Sequence, residues 1–307
     1  MTAPGIPNDF TLSTRCFGGR LSTIEDQIFA AAAMGFRRIE LGLADAVTSM
    51  DGLEEAARET GVELRSMIVG CRDPEQNGGL ASGKLGSLSS ESRDRALNSV
   101  RRHVRMARAW KCPVIVVRGS KTEDAKWLKL ALELEARIAR EGRSPELRTE
   151  VLEFVARLQK HGQRQVEHLC RSLHTLMQEH PDVKFAIEPG VEIDDLLGFD
   201  AMGWVLDDLQ KLGLGYWHDV GRIHMRERVG LPGQAQWLSA YAPRMLGVHL
   251  QDAAEAEAER PLGLGEVDFK VIREALPRNV EKVLEIAPRH GRAQILESVQ
   301  FLLDRGF

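Results

Sequence analysis

Eight short runs rich in apolar and β-branched residues recur along the chain, at 11–16, 37–43, 62–69, 114–118, 183–188, 214–219, 245–250 and 282–286. Segments rich in Ala, Leu, Glu and Arg separate them, with helical spacing at 24–34, 53–60 and 92–110. Strands alternating with helices predict parallel βα units. Eight such units predict closure into a (β/α)8 TIM barrel, forming one domain. An open, doubly wound sheet is the rival; it would place a glycine-rich phosphate loop after the first strand, and Gly18-Gly19 is no GxGxxG. Helix ends ahead of several strands carry glycine, at Gly35, Gly61 and Gly213, where a left-handed residue stops a helix.

A chain of 307 residues suits one such barrel. With 41 Lys and Arg against 45 Asp and Glu, the formal charge is −4, which lacks the basic footprint of a nucleic-acid partner. The 43% hydrophobic and 28% charged residues are globular values and exclude disorder for most of the chain. The cysteines at 16, 71, 112 and 170 form no CxxC pair, which predicts a reducing compartment. Residues 1–10 show no signal peptide, and no apolar stretch approaches the ~20 residues of a membrane span. The expectation is a cytoplasmic protein without a membrane partner. Two connections are long. Residues 71–90, rich in Gly and Ser, read as a mobile loop over the top face, placed as a lid would be. Residues 121–178 read as a charged helical insertion broken near 142–145. Its charge run predicts a solvated face, with a homo-oligomer contact as the alternative.

In such a barrel, chemistry gathers at the C-terminal strand ends. The last four predicted strands end in Glu188, Asp219, His249 and Glu285. Alternation turns Val248, Leu250, Leu284 and Ile286 toward the helices and leaves His249 and Glu285 inward. Each residue alone has a bland reading, a surface glutamate or a hydrogen-bonded core histidine; the set of four at equivalent ends carries the signal. Such groups in an apolar mouth are costly unless satisfied. One divalent cation would satisfy three carboxylates and an imidazole, and the donors suit Mn²⁺, Mg²⁺ or Co²⁺, with Zn²⁺ admissible. His218 alternates away from this set. His224 is a candidate ligand or proton donor. Glu40 faces the mouth, to orient a substrate hydroxyl or to pair with an arginine. Asp252 reads as a partner of His249 or of a loop arginine.

The runs Gly35-Phe36-Arg37-Arg38-Ile39-Glu40-Leu41, Glu188-Pro189, Trp217-His218-Asp219-Val220-Gly221, Gly247-Val248-His249-Leu250, Gly263-Leu264-Gly265-Glu266-Val267-Asp268-Phe269 and Leu284-Glu285-Ile286 resemble the xylose isomerase-like barrel superfamily. The resemblance covers nearly the whole chain. Its members include sugar-phosphate isomerases and epimerases, ketohexose 3-epimerases, hydroxypyruvate isomerase, inosose dehydratase and endonuclease IV. The resemblance implies one divalent metal on Glu188, Asp219, His249 and Glu285, with Glu188 and Glu285 as the acid–base pair of the epimerase branches. There are departures from the family pattern. Arg118, Arg222 and Gln251 stand where relatives often carry histidine, and Glu259-Arg260 replaces a common Asp-His pair. These losses oppose a three-metal nuclease. Arg118, Arg222 and Arg260 form either ordinary salt bridges or a grip on an anionic sugar derivative.

The resulting expectation is a metal-dependent isomerase or epimerase of a sugar, sugar phosphate or sugar acid, working through an enediolate. Glu40, Arg118, Arg222, His224 and Arg260 would contact the carbohydrate. A dehydratase of a keto-polyol and a catalytically lapsed binding barrel are the alternatives, and a nuclease is the weakest.

Overall fold

The computed structural model describes residues 6–44, 48–71, 81–141, 144–255 and 257–307. Strands β1 (Phe10–Ser13), β2 (Arg38–Leu41), β3 (Glu63–Ile68), β4 (Val114–Arg118), β5 (Lys184–Glu188), β6 (Gly215–Asp219) and β7 (Met245–Leu250) pair in parallel around a ring. The ring closes through β10 (Glu281–Leu284), which lies between β7 and β1. Each of the eight predicted runs supplies one barrel strand. The first ends early: the Ser13 hydroxyl accepts from the Arg15 N–H and starts a 3-10 turn over Thr14–Phe17. A further pair, β8 (Asp252–Ala254) and β9 (Glu257–Arg260), forms an antiparallel hairpin beyond the seventh barrel strand. The sequence pattern did not foretell it.

Helix α1 (Ile24–Met34) ends as its glycine predicts. Gly35 takes φ 106°, and its N–H reaches the carbonyls of Ala31 and Ala32. Alternation along the strands builds the barrel interior in layers. At the bottom, Glu281 accepts from the Thr11 hydroxyl and pairs with Arg65, Nε to Oε2 3.2 Å. Ile68, Val114, Val116, Ala186, Trp217 and Val283 pack above it. Trp217 fits because β7 offers Gly247 beside it; a Cβ there would stand 2.3 Å from the indole ring. The polar strand ends follow on top.

The insertion is two helices, α4 (Ala125–Glu141) and α5 (Pro145–Glu179). Ser144 caps α5, accepting from the Leu147 N–H at 3.1 Å, with Pro145 in the first turn. At 35 residues, α5 is about 52 Å long, whereas a five-residue strand such as β4 spans about 17 Å. The surplus length stands above the C-terminal rim beside α4. Trp127 packs on Phe154, ring centroids 5.5 Å apart, and joins the two helices. The Glu135 carboxylate accepts from the Ile193 N–H at 3.2 Å and ties α4 to the loop after β5. Of the predicted lid, residues 72–80 lie outside the described residues, and Ala81–Lys84 form a 3-10 turn. Among the described residues, no helix is long and apolar enough to cross a membrane.

Candidate active site

Strand alternation sends Arg118, Glu188, Asp219 and His249 inward at the ends of β4 to β7. Glu285 follows one residue after β10. Glu40, Glu188, Asp219, His249, Glu285 and Gln251 are all fully buried. His249 sits at the middle of the cluster. Its Nδ1 lies 2.5 Å from Glu188 Oε1 and 3.7 Å from both Asp219 Oδ2 and Glu285 Oε2. Its Nε2 lies 3.0 Å from Glu40 Oε1, and the Ser66 hydroxyl donates to Glu40 at 2.7 Å.

Two guanidinium groups close the network. Arg118 donates from Nε to Glu188 Oε2 at 2.6 Å and from Nη2 to Glu285 Oε1 at 2.7 Å. Arg222 pairs with Asp219 at 2.9 Å and Glu188 at 3.4 Å. Arg222 reaches back because Asp219 caps α7 (Val220–Arg228): Oδ1 accepts from the Arg222 N–H at 2.8 Å. The Gln251 amide donates to Asp219 Oδ1 at 3.0 Å and to Glu285 Oε2 at 3.1 Å.

The electrostatics follow from this packing. Burial pushes the Glu188 carboxyl up, but Arg118 and Arg222 outweigh it and hold Glu188 well below the ordinary carboxylate range. Glu285 is lowered too, with His249 and Arg118 overcoming its burial. Asp219 is raised, chiefly by burial. Burial opposes a charge on His249, yet Glu40, Glu285 and Glu188 raise its pKa well above the usual imidazole value.

The donor chemistry fits one divalent cation. Glu188, Asp219 and His249 offer donor atoms within 4.8 Å of one another; Glu40, His249 and Glu285 form a second such group, and Glu285 reaches the first through its 3.7 Å spacing to His249 Nδ1. Four tetrahedral donors at about 2.0–2.2 Å from an ion stand about 3.3–3.6 Å apart, and the spacings from His249 Nδ1 bracket that range. The outward-facing atoms have other partners: Arg118 takes one oxygen of Glu188 and one of Glu285, and Glu40 takes Nε2 of His249. A carboxylate on the far nitrogen is how metal-binding histidines are commonly oriented.

The structure thus gathers Glu40, Arg118, Glu188, Asp219, Arg222, His249 and Glu285, and it leaves two expected residues outside. His224 turns toward Glu266, Nε2 to Oε2 3.8 Å. There it lines a cavity of about 530 Å³ between α7 and the start of α5. Arg260 points to Glu257 on its own hairpin, at 3.8 Å. Among the described residues, the hydrogen bonds of Asp252 reach neither His249 nor an arginine. Its carboxylate accepts from the N–H groups of Ala253, Gly263, Gly265 and Val267 at 2.9–3.1 Å and so holds the glycine-rich loop. His218 does turn outward, between the Tyr216 hydroxyl at 2.8 Å and Gln234 Oε1 at 2.9 Å. Sequence reasoning missed Arg15, Ser66 and Glu259. Arg15 lies in the 3-10 turn beyond β1, where strand alternation does not apply, whereas counting back from Ile68 would have reached Ser66. Glu259 escapes such counting because it sits at φ 56° in the hairpin. Its N–H is tied to Gln251 Oε1, and its carboxylate pairs with Arg15 at 3.0 Å.

A family described as a xylose isomerase-like TIM barrel matches residues 28–305. Among curated proteins, none matches the sequence. Solved structures match over nearly the full length. A 3-keto-D-glucoside 4-epimerase from E. coli is 15% identical with TM-score 0.64, covering 97% of this chain and 100% of that one. A D-allulose 3-epimerase from Methylomonas sp., in complex with D-allulose, is 14% identical with TM-score 0.60 over 99% of each chain. The IolI protein, which carries a zinc atom, is 10% identical with TM-score 0.60, covering 97% of this chain and 99% of that one. At these identities the likeness speaks to the fold alone.

Proposed function

Since the chain belongs to the xylose isomerase-like TIM barrel family, we propose that it is an isomerase or epimerase of a carbohydrate that works with one divalent cation. The observation that carries this reading is the meeting of Glu188 and Glu285, from separated strands, at the same nitrogen of His249 in one buried centre. Glu188, Asp219, His249 and Glu285 would hold the cation, as Mn²⁺, Mg²⁺, Co²⁺ or Zn²⁺. Bound there, it supplies Lewis acidity that polarises a carbonyl and offsets charge developing on its oxygen. The zinc atom of IolI and the sugar in the D-allulose epimerase complex support the two halves of this reading.

The chain's own groups would then move protons. Glu188 removes a proton from the carbon beside the sugar carbonyl, and Glu285, which must enter the step carrying a proton, returns one to the other side; proton exchange with solvent then resets both carboxyls, and the reverse direction exchanges the roles. Glu40 keeps the His249 ring in place through Nε2. Proton–deuterium exchange on ketoses and sugar acids tests the proposal without knowledge of the product. Glu188→Gln and Glu285→Gln should each slow exchange by on the order of 10²–10⁴-fold. Undiminished exchange in both variants would sink the assignment.

A further inference from the structure

We infer that Arg118 is a positioning residue, a rigid crossbar that fixes which oxygen each glutamate presents to the reaction centre; this rests on the acid–base reading of Glu188 and Glu285 above. In the barrel order, β4 lies four strands from β10 in either direction, diametrically across the mouth. Glu188 is the direct register partner of Arg118 on the adjoining strand, so that bond is local. The bond to Glu285 is not local: the side chain crosses the whole barrel to make it. The two donors, Nε and Nη2, lie on one edge of the planar guanidinium, so the positions of the two accepting oxygens are fixed relative to each other.

The atoms chosen matter. Arg118 takes Oε2 of Glu188 and Oε1 of Glu285, while Glu188 Oε1 and Glu285 Oε2 face His249 Nδ1. Arg118 thus fixes one oxygen of each carboxylate and leaves the other turned to His249, where Gln251 also donates to Glu285 Oε2 at 3.1 Å. The Arg118 side chain is only 7% exposed, beneath the mouth, and both glutamates below it are fully buried. Its two ion pairs are with these glutamates. A lysine would keep the charge but, as a point donor, could not hold both oxygens on one rigid edge.

Three readouts on the full-length protein test this. Calorimetric titration with Mn²⁺ needs no turnover; affinity should fall at least tenfold in Arg118→Lys, and affinity within twofold of wild type would overturn the inference. With a sugar that exchanges, Arg118→Lys should lower kcat at least a hundredfold with KM within threefold. A raised KM at preserved kcat would assign Arg118 to sugar binding instead and overturn the positioning role. In Arg118→Ala, millimolar methylguanidinium should restore exchange at least tenfold and saturably, which a merely structural defect would not show. Should Arg118→Ala fail to fold, the lysine variant carries the decision. If wild type exchanges no carbohydrate, the proposed activity falls, and the Mn²⁺ titration still decides the crossbar.

Discussion

Asp252 holds four main-chain N–H groups with one carboxylate, and it is nearly fully buried. Removing a buried acceptor leaves its donors unsatisfied, and bonds to a charged group contribute about 1.5–3 kcal/mol each without adding fully. Asp252→Ala should therefore destabilise the fold by at least about 3 kcal/mol in urea denaturation, and Asp252→Asn should recover about half. His218 makes a different test. It is buried with two neutral partners, and burial pulls its pKa from 6.5 to about 4. The unfolded chain therefore takes up the proton first as pH falls below 6.5, and folded stability is lost from there down to about pH 4. Between pH 7 and pH 5 the loss is about 2 kcal/mol. His218→Asn should be less stable than wild type at pH 7, and the gap should narrow by about that amount at pH 5. A gap that does not change with pH would contradict a neutral buried imidazole. Both residues mark the limit of sequence reading at this scale. Alternation correctly turned His218 outward. No periodicity could show that the loop at 263–267 folds back onto Asp252.

At the scale of elements, strands were legible because β-branched runs and alternation are local properties. The two-helix insertion was legible from its charge and from the break that Ser144 and Pro145 produce. The β8–β9 hairpin was not: its residues are largely Ala and Glu, poor strand formers, and pairing comes from the turn and the anchoring of Glu259 on Gln251. That hairpin is what separates Arg260 from the centre and puts Glu259 near it. Helix α5 depends on a contact that propensity misses. A Cβ on Gly162 would stand 2.3 Å from Cδ2 of the buried Leu196. Alanine gains about 1 kcal/mol of helix propensity, while overpacking costs about 1–3 kcal/mol. Gly162→Ala should therefore be neutral to destabilising by about 2 kcal/mol; clear stabilisation in a denaturant titration would show that α5 can shift away from the loop after β5.

At the scale of the whole molecule, the closed barrel and the convergence of Glu188, Asp219, His249 and Glu285 followed from counting strands and their last inward residues. What counting could not supply was the pairing across the ring, since it depends on side-chain reach. The structure shows Arg118 and Arg222 engaged with the protein's own carboxylates. The middle of the barrel tolerates little change. Gly247→Ala would press a methyl into the Trp217 indole, fully enclosed by the interior layer. It should lower stability by about 3 kcal/mol, measurable as a fall in the thermal midpoint, and Trp217→Phe in the same chain should relieve part of that loss. The ties across the mouth also bear on how such a chain can change over generations. Arg118, Glu188 and Glu285 come from distant stretches of sequence yet share two short bonds. Losing one partner strands a buried charge, at a cost of about 3–5 kcal/mol. Descent through single substitutions at these positions is therefore nearly closed, and lineages that alter one of the three should carry a compensating change at another, far away in the gene.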